Sequence, residues 1–160
     1  MGSKESGECL HHAAIENGTG RDNGRGAKKM KAVGMFKVKL TPQVPDDAAH
    51  PVPGRMLIDK QFHGDLEAGS RGQMLAAQTG VKGSAGYVAM EMVTGALAGR
   101  TGTFILQHTG TMTRGEPQLS VTVVPDSGTG ELTGLSGTMA IIIEAGNHAY
   151  EFEYALAIEP

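Results

Sequence analysis

Thr103-Phe104-Ile105-Leu106-Gln107-His108-Thr109-Gly110-Thr111-Met112-Thr113 alternates through its whole length. One parity reads Phe104, Leu106, His108, Gly110, Met112; the other is dominated by threonine. Successive side chains of a strand point to opposite faces of a sheet, so the first set is expected to face a core and the second water. The stretch therefore predicts a half-buried β-strand with a histidine on its inward face.

The same rhythm extends in both directions. Strands are expected over 31–40, 55–63, 64–79 (less well patterned), 85–98, 118–124, 136–144 and 148–158. Between them lie turn signals rich in Gly, Pro, Asp and Ser. Residues 41–54 hold four prolines and read as a loop. Gly99-Arg100-Thr101-Gly102, Arg114-Gly115-Glu116-Pro117, Pro125 to Gly130 and Ala145-Gly146-Asn147 read as turns. About eight strands at hairpin spacing predict an all-β, antiparallel up-and-down barrel, which closes its own edges and leaves an interior for side chains or one small ligand. A β-sandwich is the rival architecture that alternation alone does not separate.

Residues 1–29 differ in character. They are rich in Gly, Asn, Lys, Arg and Glu, with no periodicity, and are expected to form a flexible leader. Residues 30–160 then make up the barrel domain. Met1-Gly2 with Ser6 fits a myristoylation pattern, Asn17-Gly18-Thr19 is a sequon, and His11-His12 is a histidine pair, but each is a weak signal in such a tail.

Composition narrows the function classes. The 160 residues include 24 glycines, no tryptophan and a single cysteine, and the formal charge is −3. One cysteine allows neither an internal disulfide nor a cysteine-based zinc site. No basic face suited to nucleic acid is visible. No apolar run reaches the length of a membrane span, and the first 30 residues lack the apolar segment of a secretory signal. A cytoplasmic protein without cofactor, nucleic-acid or membrane partner is the expectation. Signatures such as H-E-x-x-H, G-x-S-x-G and the phosphate-binding loop are missing.

The residues able to do chemistry sit among the alternating positions. His108 is the first candidate, as a core histidine or as a pocket acid–base group. Glu91 lies in Tyr87-Val88-Ala89-Met90-Glu91-Met92-Val93-Thr94. The face holding Val88, Met90 and Met92 is the more apolar, which places Glu91 in water. The opposite orientation puts Tyr87 and Glu91 inside, where desolvation would raise the carboxyl pKa toward general acid–base use. Lys60 shares parity with Met56, Ile58 and Phe62 and must either snorkel outward or pair with a carboxylate, Glu91 being the attractive partner. Tyr150 and Tyr154 share a face with Phe152 and Leu156, as core or as ligand-orienting hydroxyls. His63, Asp65 and Glu67 gather in one short stretch, but same-face residues on one strand are spread over about 13 Å. A rim role suits them better than a metal.

Four segments carry a family resemblance: Lys60 to Glu67, Lys82 to Ala89 with Glu91, Leu106-Gln107-His108 with Gly110-Thr111-Met112, and Ser120 to Leu132. They resemble a small bacterial family of unknown function whose barrels are similar to allene oxide cyclase, over roughly residues 30–158. The resemblance implies an antiparallel barrel and homo-oligomerisation, and no particular activity. Any cyclase chemistry would be analogy at the level of fold.

The expected function is a barrel that binds an apolar or amphipathic small molecule inside. Lys60, Phe62, His63, Tyr87 and Phe104, with Leu106, Met112, Tyr150 and Tyr154, are the candidate binding residues. As an enzyme it would be a cofactor-independent isomerase, cyclase or lyase, with Glu91 and His108 as catalytic groups and no metal. As a non-enzyme it would be a carrier, or a filled barrel acting through its oligomer surface.

Overall fold

Three tight turns show how the chain closes on itself. Ala98-Gly99, Arg114-Gly115 and Ala145-Gly146 each link paired strands across two residues, and all six residues have positive φ. That is the conformation whose twist matches antiparallel strands, and glycine at the second position adopts it without steric cost. The turn expected at 99–102 is therefore shorter and earlier: Arg100, Thr101 and Gly102 already pair with Leu97, Ala96 and Gly95.

The protein, seen in a computed structural model, is described over residues 27–44 and 53–157. The features noted in residues 1–26, including the acylation pattern, the sequon, Cys9 and the histidine pair, lie outside the described residues, as does most of the proline-rich loop. Eight strands follow in chain order: β1 (Met30–Pro42), β2 (Gly54–Gly64), β3 (Leu66–Gln78), β4 (Ala85–Leu97), β5 (Arg100–Thr113), β6 (Glu116–Val123), β7 (Leu135–Glu144) and β8 (Asn147–Leu156). Each pairs antiparallel with the next, and β1 pairs with β8, giving a closed up-and-down barrel. The sandwich alternative is thereby excluded. No described helix is long and apolar enough to cross a membrane.

The two ends of the barrel differ. At the end where β2 turns into β3 and β4 into β5, the interior is filled by Leu66, Leu97, Phe104 and Leu135. Leu132, from a short 3₁₀ turn at Gly130–Leu132 between β6 and β7, is buried with them. Glycine is required where this plug meets the wall, because a Cβ on Gly102 would collide with the Thr129 carbonyl. Two aromatic groups fill the middle, Phe36–Phe62–Tyr150 and Phe104–Phe152–Tyr154. Rings at 5–6 Å centroid spacing add favourable edge and offset contacts to their area burial.

At the opposite end no described residue covers the inward-facing side chains. By strand parity, Leu40, Met112, Leu119 and Ile143 point into the barrel, yet they are 46%, 41%, 45% and 64% exposed. Met56, Met74 and Tyr87 beside them are half-buried. Over the described residues this end is an open, apolar-rimmed mouth.

Candidate functional site

Beneath that mouth four polar side chains from four adjacent strands converge. Lys60 on β2 and Ser70 on β3 are directly paired in register. Glu91 on β4 is opposite Gly72 on one side and Leu106 on the other, and His108 on β5 is opposite Ala89. Ser70 and His108 are diagonal neighbours of Glu91 on one sheet face and within its reach, and the long side chain of Lys60 reaches it across β3. The missing side chain at Gly72 makes room. A Cβ there would collide with the Met90 carbonyl and lie 2.6 Å from Glu91 Cβ.

The Glu91 carboxylate accepts three hydrogen bonds. Lys60 Nζ donates to Oε1 at 2.7 Å, His108 Nε2 pairs with the same oxygen at 2.8 Å, and Ser70 Oγ donates to Oε2 at 2.8 Å. All four residues are buried, Glu91 to 1% exposure. The Lys60 ammonium also lies 5.1 Å from the Phe36 ring centroid and 5.7 Å from that of Phe62. An ammonium near aromatic faces gains a further electrostatic attraction. Among the described residues no buried side-chain nitrogen or oxygen lacks a hydrogen-bond partner, so the cost of burying these charges is met by pairing.

This decides two alternatives that the sequence leaves open. Glu91 does not face water, because Val88, Met90 and Met92 form an apolar outer face and the carboxylate lies inside. Lys60 does not snorkel outward, because its partner is within the barrel. The direction of the Glu91 pKa is corrected as well. Burial alone pushes the carboxyl up. The His108 hydrogen bond, then the charge and hydrogen bond of Lys60, then the charge of His108, outweigh it and bring the pKa down to about 2. Glu91 is thus an ionised anchor. Its charge, after burial itself, helps raise the pKa of the Tyr87 hydroxyl at the mouth.

The remaining candidates separate by position. Phe62, Phe104 and Leu106 are fully enclosed core. Tyr150 is core with its hydroxyl committed: it accepts from the Leu66 N–H at 2.9 Å and donates to the His63 carbonyl at 3.4 Å. Tyr154 packs on Phe152. Tyr87 and Met112 belong to the mouth, where the Tyr87 ring lies over Gly110 so closely that a Cβ there would overlap it. His63 is placed elsewhere, exposed on the outer side of β2 at the closed end. It pairs with Glu67 at 3.2 Å, while Glu67 accepts the Gly64 N–H and Asp65 accepts the Val33 N–H. His63 is therefore not brought together with Glu91 and His108. Ser70 was missed, because small residues around it blur the parity of β3. Its alternation with Leu66 and Ala68 was the available signal.

A second concavity lies on the outside of the wall. Gln73, Leu75, Val88, Met90 and Gln107 frame a groove of about 440 Å³ over the Ala89 and His108 positions. Parity places these framing side chains opposite to Ser70, Glu91 and His108, so the backbone of β3–β5 separates this groove from the buried network.

The fold and site define a class: a small closed eight-stranded barrel with one open end and an ion-paired polar network in its wall. The family described as "Protein of unknown function (DUF3224)" matches residues 32–154, and the chain belongs to that family. It is similar to a solved structure of a DUF3224-family protein of unknown function from Shewanella oneidensis MR-1. The two share 53% sequence identity over 82% of this chain and all of the other, with a TM-score of 0.76. No functionally curated protein matches the chain.

Proposed function

We propose that this barrel binds one apolar or amphipathic small molecule through its open end. The observation that carries the reading is the uncovered ring of inward-facing apolar side chains at one end, against complete filling at the other. Apolar walls with a few fixed polar groups are the usual make-up of a small-molecule site. The saturated carboxylate of Glu91 favours holding over proton transfer: a group ionised down to about pH 2 and engaged by three donors is poorly matched to acid–base work near neutrality. One observation favours a second reading, an isomerase or cyclase without cofactor. Glu91 fixes His108 through Nε2, as a carboxylate orients a catalytic imidazole, and leaves Nδ1 outside that bond. In that reading His108 alone moves the proton.

Titration with a neutral fluorescent phenyl-naphthylamine tests the binding site. One probe per barrel is expected, with binding lost in Met74→Asp at the mouth and retained in Val88→Asp on the outer wall. Loss in Val88→Asp with retention in Met74→Asp would assign binding to the outer groove and overturn the reading.

A further inference from the structure

The Lys60–Glu91 pair cancels in charge, but the spare hydrogen-bonding capacity of the inward-facing groups is lopsided. By strand parity, the ionisable groups facing inward among the described residues, apart from the exposed Arg100 at the closed end, are Lys60, Glu91, His108 and His148, with the phenols of Tyr87, Tyr150 and Tyr154. Glu91 is the one carboxylate in that set, and both its oxygens are engaged, Oε1 twice and Oε2 once. Tyr150 is committed to backbone partners at the closed side.

The capacity that remains is mostly that of donors, with Lys60 itself 7% exposed. Lys60 has three N–H groups; one goes to Glu91 and the ammonium otherwise faces the rings of Phe36 and Phe62. Phe36 is shared with His148, whose imidazole centroid is 5.2 Å from it and which is paired in register with the exposed Ile143. Tyr87 adds a half-buried hydroxyl. A cationic ligand head would meet an ammonium and find no uncommitted carboxylate. An anionic head would meet donors, in surroundings where low polarity strengthens the attraction.

We propose that the open end selects anionic amphiphiles, molecules with a carboxylate, sulfonate or phenolate head directed at Lys60 and an apolar body among Met56, Met74, Tyr87 and Met112. The assignment rests on the binding reading above and adds the charge of the ligand.

Two fluorescent probes of similar apolar body test it: anilinonaphthalene sulfonate, which is anionic, and the neutral phenyl-naphthylamine. The native protein binds the sulfonate at least about tenfold more tightly, and decyltrimethylammonium does not displace it. Equal or tighter binding of the neutral probe overturns the charge assignment and leaves the binding reading standing. Binding of neither probe removes both. The double variant Lys60→Met/Glu91→Gln deletes both charges together, so neither is left unpaired. In that variant, shown to be folded by circular dichroism, the preference falls to near parity. A tenfold preference persisting in the folded double variant overturns the role given to Lys60.

Discussion

Lys60 Nζ and Glu91 Oε1 lie 2.7 Å apart inside the barrel, on strands separated by β3, and both side chains are almost fully enclosed. The pair bridges across the intervening strand because that strand presents only Ser70 and Gly72 at this level. Removing one member strands the other charge in an apolar wall. Lys60→Met and Glu91→Gln each are expected to cost about 3–5 kcal/mol, with the double variant recovering much of the loss. Urea unfolding of the three variants checks this. Additive losses would show that the two residues act independently.

The same pairing sets an acid limit. Glu91 has its folded-state pKa lowered from 4.5 to about 2, so the folded state binds its proton less readily than the unfolded state. The resulting stability is fully present above about pH 4.5 and is lost as the pH falls toward about 2. The shift corresponds to an upper bound of about 3 kcal/mol. Unfolding free energy should fall in that window in the native protein, and more shallowly in Glu91→Gln. Identical slopes in the two proteins would rule out Glu91 as the titrating group.

Gly72 leaves the space that the carboxylate occupies. Gly72→Ala puts a methyl group against the Met90 carbonyl and Glu91 Cβ. A loss of about 1–3 kcal/mol is expected from the forced shift. Gly80 has no neighbour within 4 Å of a built Cβ, so Gly80→Ala serves as the comparison. Thermal denaturation of both variants reads the difference, and equal stabilities would show that the wall yields at Gly72.

The hairpin turns offer a gain. Ala98 and Ala145 hold φ of 48° and 47°, a region that alanine enters at a cost of roughly 1 kcal/mol and asparagine tolerates better. Ala98→Asn and Ala145→Asn should each raise the melting temperature. Unchanged or lower values would mean that the side chain, rather than the backbone conformation, decides at these turns.

Much of the barrel was legible because alternation is a direct consequence of the pleat, and 103–113 declared its inward face without ambiguity. The orientation of β4 was not legible in the same way. Val88, Met90 and Met92 are apolar on the outside, and only pairing with β3 and β5 shows that Glu91 is the inward residue. Apolar character ranks faces correctly only when the outer face is polar, which fails here. Lys60 and Glu91 could be named as partners from chemistry, whereas Ser70 could not, because its neighbours are too small to mark a face. The exposure of the mouth is a property of closure and was invisible in any single strand.

The methionines stand on both sides of the wall, which allows a direct test of where a ligand sits. Methyl-labelled methionine NMR during titration with anilinonaphthalene sulfonate should shift Met56, Met74 and Met112 at the mouth. Met90 and Met92 on the outer face should stay in place. Shifts confined to Met90 and Met92, or no shifts at any of the five, would contradict a ligand-holding barrel interior.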